Sequence, residues 1–251
     1  MGIDAVSRKA IFLDRDGVLV EEIFYPHTGE REAPLAPEDV RLLPGVAPAL
    51  CSLAEAGYAL VVISNQGGYA KGKTSLRALW LAHERFVALL AEQGARLDGA
   101  YYSYGHPDGT VPHFSGPSLD RKPGSYNVFV AAAQLDLDLH DSWMIGDRAS
   151  DVACAVAAGV RPILITPHGN AATGEADLIR VPDLPAAADV ILKSRPGVHF
   201  ATDIALLDTD RQVVANGIIG QRQKRARLAA NLFALFRSCG MDCSPVHDAS
   251  R

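Results

Sequence analysis

The sequence of 251 residues lacks several features that mark specialised classes of protein. It contains no apolar run near the roughly 18 residues that a membrane span requires, and its N-terminus does not have the pattern of a signal peptide. Its four cysteines are scattered, which argues against a disulfide-rich secreted scaffold. A net charge of −5 argues against general nucleic-acid binding. We therefore predict a cytoplasmic protein that binds neither nucleic acid nor membrane.

Apolar segments of strand type alternate with amphipathic segments of helix type along most of the chain. Strands are predicted at residues 10–13, 58–63, 99–103, 142–145 and 162–165, and helices at 45–57, 75–93, 125–135 and 151–158. Residues 21–44 and 104–123 are predicted to be loops. This alternation predicts an α/β fold with a doubly wound, mostly parallel sheet, in which ligands bind at the carboxyl ends of the strands.

The tail from residue 196 departs from this alternation. Residues 196–251 are predicted to add a hairpin and a terminal helix to a main domain at 1–195. A short basic run, QKRAR, precedes apolar residues at helical spacing. Two interpretations stay open: a docked helix with a solvated basic face, or a contact that makes a homo-oligomer.

Two acids end the first predicted strand, since Asp14 and Asp16 follow the apolar run AIFL. Two neighbouring carboxylates repel each other, and a bound cation relieves that repulsion. Mg²⁺ prefers oxygen ligands and bridges protein carboxylates to substrate phosphate. Asp147 follows the fourth predicted strand, so Asp14 and Asp147 are candidate magnesium ligands. Taken alone, the two acids of the first strand are equally consistent with a helix cap and a turn.

Candidate phosphate contacts occur at two further positions. Ser64 lies at the end of the second predicted strand, in the segment SNQGG, where its hydroxyl and nearby backbone amides could donate to a phosphate. Lys122 lies in the segment RKPG and could neutralise charge in a phosphoryl-transfer transition state. Alone, Ser64 is better explained as a helix cap and Lys122 as a surface lysine. Their order along the chain, together with the acids, favours a phosphate site.

The segments LDRDG, SNQGG, LDG-x-YY, HP-x-G, RKP and IGD-x-x-x-D together resemble the haloacid dehalogenase superfamily of phosphatases. More narrowly, they resemble the D-glycero-D-manno-heptose 1,7-bisphosphate phosphatases and the related histidinol-phosphate phosphatases. The resemblance covers roughly residues 8–193. It implies that Asp14 is the nucleophile, which forms an aspartyl-phosphate, and that Asp16 is the general acid and base.

The resemblance also implies the remaining roles at the site. The metal would be Mg²⁺, held by the Asp14 and Asp147 carboxylates and the backbone carbonyl of Asp16, with Asp151 as support. Substrate and phosphate contacts are expected from side chains that follow the strands or flank the site: Ser64, Asn65, Arg121, Lys122 and Arg148. The expected partner is a small phosphorylated metabolite.

The sequence departs from these relatives in the loop before Lys122. Members often hold a structural zinc there with four cysteine and histidine ligands. The matching positions are Ser103, Gly105, Ser118 and Asp120, so a structural zinc is not expected. No large insertion follows Gly17 or separates Lys122 from Gly146, which predicts a fold without a large cap domain.

We expect a phosphatase of heptose 1,7-bisphosphate. The alternatives are a histidinol-phosphate phosphatase and a non-catalytic binding protein that retains the fold. Arg121 and Arg148 favour a bisphosphate, whereas Glu21 and Glu22 near the mouth would suit the ammonium group of histidinol phosphate.

Overall fold

Strands and helices alternate along the residues that the computed structural model describes, namely 8–26, 28–167 and 178–194. The strands are β1 (Arg8–Leu13), β2 (Ile23–Tyr25), β3 (Glu30–Glu32), β4 (Ala59–Asn65), β5 (Gly99–Ser103), β6 (Leu137–Gly146), β7 (Arg161–Ile165) and β8 (Ile179–Val181). The α-helices are α1 (Val46–Glu55), α2 (Leu76–Glu92), α3 (Tyr126–Leu135), α4 (Ala149–Ala158) and α5 (Leu184–Lys193).

Six strands form the main sheet in the order β5-β4-β1-β6-β7-β8, and every neighbouring pair is parallel. The sheet is buried on both faces, as alternate residues of β1 show. Ile11 and Leu13 pack with the cluster that includes α1, α2 and α5, whereas Ala10 and Phe12 pack with the cluster that includes α3 and α4. The predicted doubly wound, parallel α/β fold is confirmed.

The segment predicted as an irregular loop at 21–44 contains a short antiparallel hairpin, β2–β3, and a 3₁₀ turn at Pro37–Asp39. Side chains that are distant in sequence hold it together. The Tyr25 hydroxyl donates to Asp39 Oδ2 at 2.6 Å and accepts the Leu35 amide at 2.9 Å. Such contacts leave no periodic pattern, which is why the sequence did not indicate them. Within the described residues the insertion after Gly17 is limited to these elements and no cap domain is present.

The buried face of α2 matches the predicted one in part. Leu79 and Leu90, which were expected on that face, are buried together with Ala82 and Phe86. Leu76, Trp80 and Val87, which were also expected there, are 39–46% exposed. At about 100° per residue, the exposed and the buried stripes are centred about 95° apart around the helix axis. Both are apolar, so hydrophobic periodicity alone did not indicate which one faces the sheet.

The strand β8, of three residues, and the helix α5, of ten, close the described fold. Neither element was predicted. The hairpin and helix predicted for 196–251 lie outside the described residues, and the division at 195 stays a prediction. Among the helices that the structure describes, none is long and apolar enough to cross a membrane.

Two phenylalanines on helices test where the core lies. Phe86 on α2 is fully buried, whereas Phe129 on α3 is 45% exposed. We expect Phe86→Ala to lower the free energy of unfolding in urea by about 3–5 kcal/mol, because it removes apolar contacts and leaves a cavity. Phe129→Ala, the matched control, should change it by about 0.5 kcal/mol or less. Equal effects of the two substitutions would contradict the assigned face of α2.

Candidate active site

The ends of three parallel strands bring the predicted polar residues to one edge of the sheet. Asp14 directly follows β1, Ser64 and Asn65 end β4, and Asp147 directly follows β6. Asp14, Ser64 and Asn65 line a cleft of about 480 Å³, and Asp147 lies beside it. This size is typical of sites for small molecules. The cleft walls carry both acidic and basic side chains and little apolar surface. Its chemistry suits a small, charged ligand.

Close backbone packing brings the β1 and β6 ends together. Gly17 has φ +86°, and a Cβ at this position would collide with the carboxylate of Asp147. A Cβ at Gly146 would likewise collide with the Asp151 side chain. Glycine is therefore required at both positions, at the first by its positive φ as well as by space.

Lys122 lies at the centre of the site and is 3% exposed. Its Nζ lies 2.8 Å from Asp14 Oδ1 and 2.6 Å from Asp151 Oδ1, and it donates to the Ile63 carbonyl at 2.8 Å. Burial alone would lower the pKa of Lys122, but the carboxylates of Asp14 and Asp151 outweigh burial and raise it. The ammonium therefore stays charged, with three oxygen atoms within 2.8 Å of it.

Three carboxylates gather around this ammonium, and one oxygen from each of Asp14, Asp147 and Asp151 lies within 4.8 Å of the others. With all three ionised, the cluster with Lys122 has a net charge of −2, three negative charges against one positive. Burial, together with Asp14 and Asp151, raises the pKa of Asp147 to about 7. The buried Oδ1 of Asp147 accepts no hydrogen bond from the described residues. An all-oxygen cluster with a double negative charge fits a hard divalent cation.

The second acid of the strand has a different environment. Asp16 Oδ1 accepts from Arg15 Nε at 3.0 Å, and Asp16 Oδ2 accepts from Gln66 Nε2 at 2.5 Å. The Ser64 hydroxyl lies 3.4 Å from the same Oδ2. Neither Arg15 nor Gln66 was predicted as a site residue, although they lie within the segments LDRDG and SNQGG, because both belong to types that are usually exposed. Both are at most 2% exposed.

Comparisons with known proteins agree with this geometry. The family model described as "HAD-hyrolase-like" matches residues 120–192. A D-glycero-beta-D-manno-heptose-1,7-bisphosphate 7-phosphatase from Yersinia pestis is 33% identical over 195 residues, which cover 75% of this chain and 92% of the relative. A D-glycero-D-manno-heptose-1,7-bisphosphate 7-phosphatase from Thermosynechococcus vestitus is 40% identical over 164 residues, 64% of this chain and 80% of that protein.

A solved structure is also similar. The D,D-heptose 1,7-bisphosphate phosphatase from B. bronchiseptica, complexed with magnesium and phosphate, matches with a TM-score of 0.58 and 26% identity. The match covers 73% of this chain and 98% of that chain. The chain belongs to the haloacid dehalogenase-like phosphatases.

The remaining predicted residues of the phosphatase surround the cleft. The side-chain amide of Asn65 makes two hydrogen bonds to the backbone of Lys122. Its Oδ1 accepts from the N–H and its Nδ2 donates to the carbonyl, each at 3.0 Å. It therefore fixes the position of Lys122, and its expected contact with substrate stays a prediction. Arg148 pairs with Glu22 at the mouth of the cleft and lies 3.8 Å from Asp147 Oδ1.

Arg121 lines the opposite part of the cleft of the phosphatase and is half-buried. Its Nη1 donates to the Gly105 carbonyl at 3.0 Å. No carboxylate among the described residues lies within 4 Å of its guanidinium. Burial, and after it the charge of Arg148, lower the pKa of Arg121. A guanidinium without a carboxylate partner, close to a second cation, is placed to receive an anion.

The loop at 104–120, where no structural zinc is expected, is tied to the loop after β4. The amides of Thr110 and Val111 donate to the Ala70 carbonyl at 2.7 and 3.1 Å. The rings of Tyr69 and Phe114 meet edge to face, with their centroids 4.9 Å apart. Two of the four positions at which zinc ligands are missing contact each other, since the Ser118 hydroxyl donates to Asp120.

The raised pKa of Asp147 predicts a pH-dependent stability in the metal-free phosphatase. The folded state holds this proton up to about pH 7, whereas the unfolded carboxyl loses it near pH 4. The contribution to stability is therefore full below about pH 4 and is lost between pH 4 and 7, by up to about 4 kcal/mol. Urea unfolding of wild type against Asp147→Asn, over this pH range, measures the difference.

Asp189→Asn, an exposed substitution on α5, is the control and should leave the pH dependence unchanged. Added Mg²⁺ should stabilise the wild type more at pH 8 than at pH 6, because protons compete for Asp147. A wild type and an Asp147→Asn variant with parallel pH profiles would contradict the assignment.

Proposed function

We propose that this phosphatase hydrolyses the phosphomonoester of a small phosphorylated sugar, with D-glycero-D-manno-heptose 1,7-bisphosphate as the preferred substrate. The observation that supports it most is the carboxylate cluster around buried Lys122 at the base of a polar cleft. Relatives named for this activity match over three quarters of the chain. The proposed reaction passes through an aspartyl-phosphate and depends on Mg²⁺.

In the first step, a carboxylate oxygen of Asp14 attacks phosphorus and the ester bond to the sugar oxygen breaks. Asp16 gives its proton to the departing alkoxide, so the sugar leaves as an alcohol. In the second step, water attacks the same phosphorus while the ionised Asp16 takes its proton. The bond from Asp14 to phosphorus breaks, inorganic phosphate is released, and Asp16 is again protonated.

The surroundings of the two acids suit these two roles. Lys122 holds Asp14 Oδ1, and with Asp151 it keeps the nucleophile in a fixed orientation. Asp14 and Asp147, with the backbone carbonyl of Asp16, would hold Mg²⁺, which supplies positive charge to the transferring phosphoryl group. Ser64, at the end of β4, contributes a hydroxyl donor beside Asp16.

The charges around the cleft favour a bisphosphate over histidinol phosphate. A substrate with an ammonium group would need an unpaired acid near the mouth. Of the two acids expected to suit it, Glu22 is paired with Arg148 and Glu21 does not line the cleft. Glu32 and Glu30, which do line it, pair with Lys73 at 2.5 and 2.9 Å. Arg121, in contrast, has no carboxylate partner among the described residues. A second phosphate would find a cation there.

Phosphate release in the presence of Mg²⁺ tests the proposed reaction. The panel contains both anomers of heptose 1,7-bisphosphate, fructose 1,6-bisphosphate and histidinol phosphate. We expect turnover of one heptose anomer, and Asp14→Asn should lower kcat at least about 10³-fold because the amide cannot act as the nucleophile. Asp189→Asn is the control.

Turnover of histidinol phosphate alone would keep the mechanism and overturn the substrate. Failure of folded wild type to release phosphate from every member, with Mg²⁺ bound, would favour the non-catalytic alternative. Wild-type activity that survives Asp14→Asn would overturn the assigned nucleophile.

The role of Arg121 is tested by comparing heptose 1,7-bisphosphate with heptose 7-phosphate. Arg121→Met should raise KM for the bisphosphate by about tenfold or more, the value of one charged hydrogen bond. KM for the monophosphate should change by no more than about twofold, because that substrate lacks the group bound by Arg121. Arg77→Met, an exposed substitution on α2, controls for the loss of one positive charge. An equal rise for both substrates would place Arg121 outside the second phosphate site.

A further inference from the structure

Arg15 lies between the two acids in sequence. Its side chain is buried, which is unusual for an arginine. It is 1% exposed. Burying a guanidinium is costly unless every part of it finds a partner. Its Nε and Nη2 contact Asp16 Oδ1 at 3.0 and 2.9 Å, and Nη2 also donates to Gln66 Oε1 at 2.7 Å. Its carbon Cζ lies 5.6 Å from the centre of the Tyr102 ring.

Gln66 completes the contacts around Asp16. Its Nε2 donates to Asp16 Oδ2 at 2.5 Å and to Ser64 Oγ at 3.0 Å, while its Oε1 accepts from Arg15. Only this orientation of the amide places a donor against the carboxylate and an acceptor against the guanidinium. Asp16 is thus held at both oxygens, by Arg15 on one and by Gln66 on the other. Oδ1 is occupied by two contacts from Arg15, whereas the second contact of Oδ2, from the Ser64 hydroxyl, is long at 3.4 Å. Oδ2 is therefore the oxygen that can carry the proton.

We infer that Arg15 and Gln66 are positioning residues that fix the Asp16 carboxyl for proton transfer. Neither is expected to touch the substrate, and both act through Asp16. The inference rests on the proposed function, in which Asp16 protonates the alkoxide in the first step and deprotonates water in the second. Proton transfer requires the carboxyl within hydrogen-bond reach of the reacting oxygen, so a carboxyl that can rotate away slows both steps.

Two substrates separate the two steps. A sugar alkoxide is a poor leaving group and needs the proton of Asp16, whereas p-nitrophenolate leaves without it. In Arg15→Met we expect the first step to slow by about 10²-fold for the sugar phosphate and by no more than about threefold for p-nitrophenyl phosphate. The second step is slowed for both, because each gives the same aspartyl-phosphate.

Rapid-mixing measurements with p-nitrophenyl phosphate and Mg²⁺ should therefore show a burst of p-nitrophenolate. Its amplitude should approach one equivalent per active site, followed by slow turnover, and acid quenching should trap the phosphorylated protein. Heptose 1,7-bisphosphate should give slow turnover without a burst. Gln66→Leu removes the contact at Oδ2, together with the Gln66 contacts to Arg15 and Ser64, and leaves the Arg15 contacts at Oδ1. It should give the same pattern with a smaller loss, and it tests the inference if Arg15→Met does not fold.

Arg161→Met is the matched control. This guanidinium lies 5.3 Å from the centre of the Trp143 ring and 3.3 Å from Asp141, at the start of β7 and away from the cleft. It should lower stability without separating the two substrates.

The inference is overturned if folded Arg15→Met and Gln66→Leu slow both substrates equally without a burst, while wild type remains active. If wild type releases phosphate from neither substrate, the proposed function fails and this inference fails with it. Phosphate release by the wild type therefore distinguishes the two failures.

Discussion

The site depends on one buried ammonium group that joins three parts of the chain. Lys122 comes from the long loop before α3, Asp14 from the end of β1 and Asp151 from the first turn of α4, and the ammonium also binds the backbone of β4. Without the ammonium, the carboxylates of Asp14 and Asp151 would repel each other. Without the two carboxylates, the ammonium would be costly to bury. The strand ends can therefore approach as closely as they do only because the three charges are brought together.

The same reasoning explains how two acids can lie two residues apart. Asp14 is paired with Lys122 and Asp16 with Arg15, so each of these two carboxylates has a cation beside it. Asp14 shares Lys122 with Asp151, and Asp147 has no buried cation beside it among the described residues, since Arg148 lies at 3.8 Å and is largely exposed. Burial and this excess of negative charge together raise the pKa of Asp147, and a divalent cation would balance the charge.

Much of the fold was predictable because parallel strands and their helices leave local patterns. Asp14, Ser64 and Asp147 could be predicted to meet at one edge of the sheet, because each lies where a parallel strand ends. What the sequence could not indicate were pairings between distant residues. Arg15 lies between two acids of a motif, but the motif does not show which residues its side chain contacts, and only the fold brings Gln66 within 2.7 Å of it. The partly wrong face of α2 has the same origin, because two apolar stripes compete and the sheet selects one.

The walls of the cleft are ordered by links between loops. The loop after β4 binds the 104–120 loop through the Ala70 carbonyl and the Tyr69–Phe114 contact, and it binds the β2–β3 hairpin through Lys73 and Glu32. The described residues include no cap domain, and they line the cleft mainly with these loops and with Arg148 and Ser150 at the start of α4. Three loops that hold one another lose less conformational entropy on binding than three independent loops would. The open architecture is therefore compatible with selective recognition of a small ligand.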